Sequence, residues 1–172
     1  MKIECIFARY CAVLAVVLLG SCSIYCQNKT IVLVRHAERA ADTDMNKGDP
    51  ELSAEGRERA LRLVKIVRKY KPHEIFSSDF KRARQTAEPI AVYRGKQVQI
   101  YDPKKPADLV QKMMTSKTEH YLIVGHSNTI PALANLLMKK QLFQSLDDSE
   151  YGAIWVVKIR NGSPKKVEVL AY

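Results

Sequence analysis

Apolar residues along the chain follow two alternating patterns: short unbroken runs, and runs with helical spacing. Unbroken runs lie at 30–34 and 121–124 and are typical of strands buried on both faces of a parallel sheet. The segments 74–78 and 98–101 are predicted as two further, short strands. Between them, apolar positions three or four residues apart predict helices. These begin after Ser53, which is a good N-cap, after Asp79 as a second N-cap, at Pro106, and after residue 126.

Two further strands are predicted near the C-terminus, at 153–159 and 167–170. The dipeptide Asn161-Gly162 separates them and is a strong hairpin signal, so at least one late strand is expected to run antiparallel. The predicted fold class is therefore α/β, a three-layer α/β/α sandwich with a mostly parallel sheet.

The first residues resemble an export signal rather than a folded element. Lys2 and Arg9 precede an apolar run at 12–19, which suits a secretory signal better than a membrane span. The run ends in Leu19-Gly20-Ser21-Cys22, which resembles the bacterial lipobox. We therefore expect a signal peptide over 1–21, lipidation of Cys22, a tether over 22–29 and one domain over 30–172, anchored by lipid to a membrane of the bacterial cell envelope. An uncleaved anchor or an ordinary signal cleaved nearby are the alternatives.

Composition fits one exported globular domain. The chain has 172 residues, of which 47% are hydrophobic and 27% charged, values that exclude intrinsic disorder. Its formal net charge of +10 favours anionic partners. Nucleic acid is not expected, because acidic residues are interleaved with the basic ones and no aromatic-basic binding motif is present. Cys26 is the one cysteine left after Cys5, Cys11 and Cys22, so no disulfide within the domain is expected.

Polar side chains follow the predicted strands at the points where ligands bind in parallel sheets. The segments are Arg35-His36-Ala37-Glu38, Ser77-Ser78-Asp79 with Arg82, Asp102, and Gly125-His126-Ser127-Asn128. Two histidines and two arginines close to the ends of different strands form a candidate functional site. Elsewhere, Arg84, His73 and His120 are expected to be surface or structural residues, and Ser77 and Ser78 to stabilise a turn.

These segments, together with Leu52-Ser53-Ala54-Glu55-Gly56 and the helical stretch 80–87, resemble the ordered motifs of the histidine phosphatase (phosphoglycerate mutase-like) superfamily. The resemblance covers about residues 31–137 and is closest to short members of the phosphohistidine phosphatase type. A phosphoglycerate mutase is disfavoured, because the chain is short and carries an export signal.

The resemblance implies a role for each matching residue. His36 would attack phosphorus and carry a phosphohistidine intermediate, while Arg35 and Arg82 would bind the phosphoryl oxygens. His126 would hydrogen-bond the same group, and Ser127 and Glu38 are further substrate-binding candidates. The scheme requires no metal and no cofactor.

Two positions depart from the family pattern. Ala37 stands where glycine is usual, which is a modest change. The general acid stays open between Asp102, Glu38 and no dedicated acid at all.

The sequence thus predicts a metal-independent phosphatase that acts on a small phosphomonoester or phosphoramidate. A non-catalytic anion-binding envelope lipoprotein is the alternative.

Overall fold

The computed structural model describes residues 28–45 and 47–172. Within them lie six strands, four α-helices and one 3-10 turn at Arg68–Tyr70. The strands are β1 (Lys29–Arg35), β2 (Glu74–Ser78), β3 (Val98–Tyr101), β4 (His120–Gly125), β5 (Ala153–Arg160) and β6 (Ser163–Ala171). The helices are α1 (Ala54–Val67), α2 (Lys81–Arg94), α3 (Pro106–Thr115) and α4 (Thr129–Met138). The predicted signal peptide and Cys22 lie outside the described residues, as does the predicted tether up to residue 27.

All six strands form one sheet in the order β3-β2-β4-β1-β5-β6. Strands β1 to β4 are mutually parallel. β5 pairs antiparallel with both β1 and β6, and the left-handed residues Asn161 and Gly162 make the turn between β5 and β6. The predicted α/β fold, with its mostly parallel sheet and late hairpin, is confirmed.

Alternation along the buried strands gives the sheet two apolar faces. On one face Val32, Val34 and Leu122 pack with side chains of α1 and α2. On the other, Ile31 and Leu33 pack with side chains of α3 and α4. The domain is therefore a three-layer sandwich.

Helix starts show where local signals hold and where they fail. Ser53 caps α1 by accepting a hydrogen bond from Gly56 N, and Pro106 occupies the first turn of α3, both as predicted. The prediction that Asp79 caps α2 is wrong. Phe80 is the N-cap residue there, without a side-chain hydrogen bond, because the carboxylate of Asp79 pairs with Arg84 instead.

Strand order explains where the polar segments meet. β2, β4 and β1 are neighbours and parallel, so the residues that follow them emerge side by side at one edge of the sheet. His36 N donates to Gly125 O at 2.8 Å, which joins two of these junctions directly. None of the four helices in the described part of the chain is long and apolar enough to cross a membrane.

Candidate active site

A cleft of about 650 Å³ opens at this edge of the sheet. Of the residues predicted to form a site, Arg35, His36, Arg82, His126 and Ser127 line it. The His36 and His126 rings lie edge to face with their centroids 5.2 Å apart. The structure therefore brings together the two histidines and two arginines that the sequence places at separate strand ends.

Hydrogen bonds fix the protonation state of His36. Its Nδ1 lies 2.8 Å from Ala37 O, and because a carbonyl oxygen only accepts, Nδ1 carries the proton. The other ring nitrogen, Nε2, accepts a hydrogen bond from Arg82 Nε at 3.2 Å. His36 is thus a neutral imidazole whose basic nitrogen faces a guanidinium group.

Burial and nearby cations lower the pKa of both histidines. The pKa of His36 falls from 6.5 to about 3, chiefly through desolvation, with Arg82, His126 and Arg35 adding to the effect. The hydrogen bond to Ala37 O acts in the opposite direction without reversing it. The pKa of His126 falls to about 4 through desolvation and the same two arginines. Both rings are therefore neutral near pH 7.

The two arginines each keep one unsatisfied donor in the cleft. Among the residues that the structure describes, the buried atoms Arg35 Nε and Arg82 Nη1 have no hydrogen-bond partner. Arg82 Nη1 lies 3.8 Å from Asp49 Oδ1, which is an ion-pair distance but too long for a hydrogen bond. Because a buried unpaired N–H is costly, these two donors are suited to an anionic ligand.

Main-chain and side-chain contacts hold the second histidine. His126 N donates to Thr129 Oγ1, and the ring nitrogen Nε2 lies 2.9 Å from Ser78 Oγ. Ser78 is fully buried at the end of β2, so its hydroxyl orients the His126 ring. We expected Ser78 only to stabilise a turn, and its contact with His126 gives it a second role.

Glu38 and Asp102 lie outside the lining of the cleft. The carboxylate of Glu38 accepts two hydrogen bonds from Arg59 Nε, at 2.7 and 2.9 Å, and this ion pair lowers the pKa of Glu38 despite partial burial. An ionised, paired carboxylate is suited to holding the loop after His36 rather than to donating a proton. Asp102 is exposed, and its Oδ1 accepts from Lys104 N at 2.9 Å. Its neighbours Pro103 and Lys104 line the cleft.

Sequence reasoning missed several residues of the cleft wall. Phe80 lies edge to face with the His126 ring, and Tyr151 faces the His36 ring at 6.2 Å. Asp148 supplies a carboxylate among the lining residues, and Arg39 and Lys104 supply further cations. No group of three or more potential metal-ligating residues occurs within residues 28–45 and 47–172.

Comparison with known protein families finds one family model that matches part of the chain. The sequence model of the histidine phosphatase superfamily (branch 1) matches residues 31–103, from β1 to the residues just after β3. This part of the chain is similar to that superfamily. His36 and Arg82 both lie within the matched region. Together, the match and the site support a hydrolase of the phosphatase class, as the sequence analysis expected.

Several solved structures share the fold of this chain. The protein histidine phosphatase SixA, solved with tungstate, is 15% identical with a TM-score of 0.67, covering 83% of this chain and 96% of its own. A protein from Agrobacterium tumefaciens that is proposed to be a SixA phosphohistidine phosphatase is 20% identical with a TM-score of 0.65, covering 84% and 98%. Mycobacterial glucosyl-3-phosphoglycerate phosphatase is 17% identical with a TM-score of 0.63, covering 85% and 99%. No curated protein matches the sequence of the chain.

The lowered pKa of His36 predicts that the protein loses stability in mild acid. Unfolding restores an ordinary histidine that takes up a proton below pH 6.5, whereas the folded ring stays neutral down to about pH 3. Above pH 6.5 this group does not lower the free energy of unfolding. As the pH falls from 7 to 5, proton uptake by the unfolded chain lowers the free energy of unfolding by about 2 kcal/mol. Urea unfolding at pH 7, 6 and 5 measures it. His36→Asn should show a flatter dependence on pH, and an unchanged dependence would contradict the assignment.

Proposed function

We propose that this protein hydrolyses a small phosphomonoester or phosphoramidate through a phosphohistidine intermediate on His36 Nε2. One observation carries the proposal: a neutral imidazole contacts Arg82 in a cleft whose lining includes two arginines, Arg35 and Arg82, that each keep a buried, unsatisfied N–H. Phosphoryl transfer needs a nucleophile in line with the leaving group and cations around the equatorial oxygens. The cleft supplies both.

In the first step the lone pair of His36 Nε2 forms a bond to phosphorus while the bond to the leaving group breaks. A phosphoryl oxygen takes the N–H that Arg82 donates to Nε2, and this frees the lone pair for attack. The proton stays on Nδ1, which continues to donate to Ala37 O, so the same carbonyl stabilises the phosphorylated ring. In the second step water attacks phosphorus, the P–N bond breaks, and the proton lost from water leaves with the products.

The other residues would stabilise the charge that develops on the transferred group. Arg35 Nε and Arg82 Nη1 donate to its oxygens as charge-assisted hydrogen bonds. In the tautomer in which the Ser78 hydroxyl donates to His126 Nε2, the ring carries its proton on Nδ1, which then serves as a further donor. Ser127 and the start of α4 line the cleft and add the positive end of a helix dipole.

Hydrolysis of an aryl phosphate in the presence of EDTA tests the proposal. We expect turnover at an unchanged rate after the chelator is added, because the scheme needs no metal. A protein that binds inorganic phosphate but turns over no member of a phosphoester and phosphoramidate panel would instead be an anion-binding protein. SixA, which shares the fold, was solved with tungstate, a tetrahedral oxyanion, and this supports a phosphate-sized ligand for the cleft.

The proton donor for the leaving group can be identified by varying that group. Asp102→Asn should slow an alkyl phosphate, a poor leaving group, about 10-fold or more, and leave a nitrophenyl phosphate almost unchanged, because good leaving groups need no acid. Asp148→Asn is measured beside Asp102→Asn on the same two substrates, since Asp148 supplies a carboxylate within the lining of the cleft. Equal rates for wild type and Asp102→Asn on both substrates would eliminate Asp102.

We also propose that the domain is exported and held at the cell envelope by a lipid on Cys22. The proposal rests on the apolar run at 12–19 and on Leu19-Gly20-Ser21-Cys22. Incorporation of labelled fatty acid into the full chain tests it. Cys22→Ala should abolish the label and Cys26→Ala should retain it, whereas equal labelling of both variants would contradict the assignment.

A further inference from the structure

The segment that precedes β5 binds the guanidinium group of Arg35. Arg35 Nη1 donates to Asp147 O and Glu150 O, both at 2.7 Å, and Nη2 donates to Asp148 O at 3.1 Å. The Tyr151 ring covers the same group, with 4.1 Å between Arg35 Cζ and the ring centroid. Three carbonyl groups and one aromatic ring therefore fix the plane of this guanidinium.

These contacts leave the Nε–H of Arg35 without a hydrogen-bond partner. Both hydrogens of Nη1 are used, and Nη2 also lies 3.7 Å from the Asp148 carboxylate. Nε is buried and unsatisfied among the described residues. Arg35 would therefore meet a phosphoryl oxygen through a single N–H whose direction is set by the plane of the group. Any rotation of that plane moves the N–H away from the oxygen.

The segment is itself tied to the rest of the site. Leu146 N donates to Ser127 O at 3.0 Å, next to His126. The buried side chain of Asn135 in α4 accepts hydrogen bonds from Leu142 N and Phe143 N. Asp147 N donates to the Glu150 carboxylate and closes the turn. Tyr151 thus follows an anchored turn, and its ring contacts the Arg35 guanidinium and is 6.2 Å from the His36 ring, centroid to centroid.

We propose that Tyr151 is a positioning residue for phosphoryl binding, and that it acts through Arg35. Its ring excludes water from one face of the guanidinium and, with the three carbonyls, keeps Nε directed at the phosphoryl group. The effect comes from the aromatic face of Tyr151, and the hydroxyl group does not contribute to it. The expected effect on catalysis rests on the proposed function. The expected effect on anion binding does not, because it can be measured without turnover.

The test compares Tyr151→Ala with Tyr151→Phe in the full chain, each in the wild-type and the Arg35→Ala background. The measurements are kcat/KM for an aryl phosphate and the Kd of orthovanadate, a phosphate analogue. Tyr151→Ala should weaken vanadate binding and lower kcat/KM, by up to the factor of about 30 that a desolvated cation–π contact corresponds to. Tyr151→Phe should restore most of both losses.

The Arg35→Ala background separates positioning from a direct role. If Tyr151 acts through Arg35, Tyr151→Ala should add no further loss there. Additive losses, or a Tyr151→Phe variant as impaired as Tyr151→Ala, would overturn the proposal. Tyr93→Ala, at an exposed tyrosine of α2, is the matched control and should bind vanadate as wild type does.

The two readouts distinguish failure of this inference from failure of the proposed function. Wild-type protein that binds vanadate but hydrolyses nothing would refute the phosphatase proposal, and a 30-fold loss of vanadate affinity in Tyr151→Ala would still support positioning. Wild-type turnover with no effect of Tyr151→Ala on either readout would refute positioning alone. Thermal unfolding of each variant verifies that it is folded.

Discussion

Turnover of an aryl phosphate should fall by about 10⁴-fold or more in the His36→Asn variant. The imidazole Nε2 is the atom placed to attack phosphorus, and asparagine has no nucleophilic nitrogen to replace it. KM should change far less than kcat, because Arg35, Arg82 and His126 still bind the phosphoryl group. Steady-state kinetics on the folded variant, with phosphate release as the readout, measure both constants.

His73→Asn is the matched control for this substitution. His73 is exposed and immediately precedes β2, at the sheet edge opposite the cleft. Its replacement should leave kcat and KM as in the wild type. A His36→Asn variant with even a tenth of wild-type turnover would contradict the nucleophilic role of His36, whatever the control shows.

Arg82→Ala should lower kcat/KM by about 10³-fold, the second-largest effect that we expect. The substitution removes an unsatisfied donor at Nη1 and the N–H that contacts His36 Nε2. Arg82→Lys should recover only part of the loss, because an ammonium group cannot present two directed donors. The measurement is kcat/KM for an aryl phosphate, with vanadate affinity as a second readout.

Arg84 offers a control on the same helix. Its side chain is half exposed and pairs with Asp79 outside the cleft lining. Arg84→Ala should retain kcat/KM within about 2-fold, as is usual for an exposed ion pair. Equal losses in Arg82→Ala and Arg84→Ala would show that general positive charge, rather than a directed contact, accounts for the effect.

The strands and helices could be predicted because their sequence signals are local. The unbroken apolar run at 30–34 predicts a strand covered on both faces, and Asn161-Gly162 predicts the hairpin. Asp79 shows the limit of such signals: the sequence makes it a good cap for α2, but Arg84, one turn into the helix, binds its carboxylate. The capping preference of a residue does not reveal a competing partner.

The centre of the site could be predicted and its wall could not. His36 and His126 follow two parallel strands, and strand ends meet at one edge, so their proximity follows from topology. Tyr151 and Asp148 come from a polar segment without helical or strand periodicity, whose path depends on contacts with Arg35, Ser127 and the buried side chain of Asn135. No local pattern encodes those contacts. The pairing of Glu38 with Arg59 likewise joins residues that only the fold brings together.

Direct detection of phosphate on His36 tests the central claim. The folded protein is mixed with a radiolabelled phosphate ester, quenched in alkali within milliseconds, digested and analysed by mass spectrometry. We predict an alkali-stable, acid-labile phosphate on the peptide that contains His36, absent from His36→Asn and present in His73→Asn. Turnover by the wild type with phosphate found on another residue, or with inversion of configuration at phosphorus and no labelled peptide, would contradict the account.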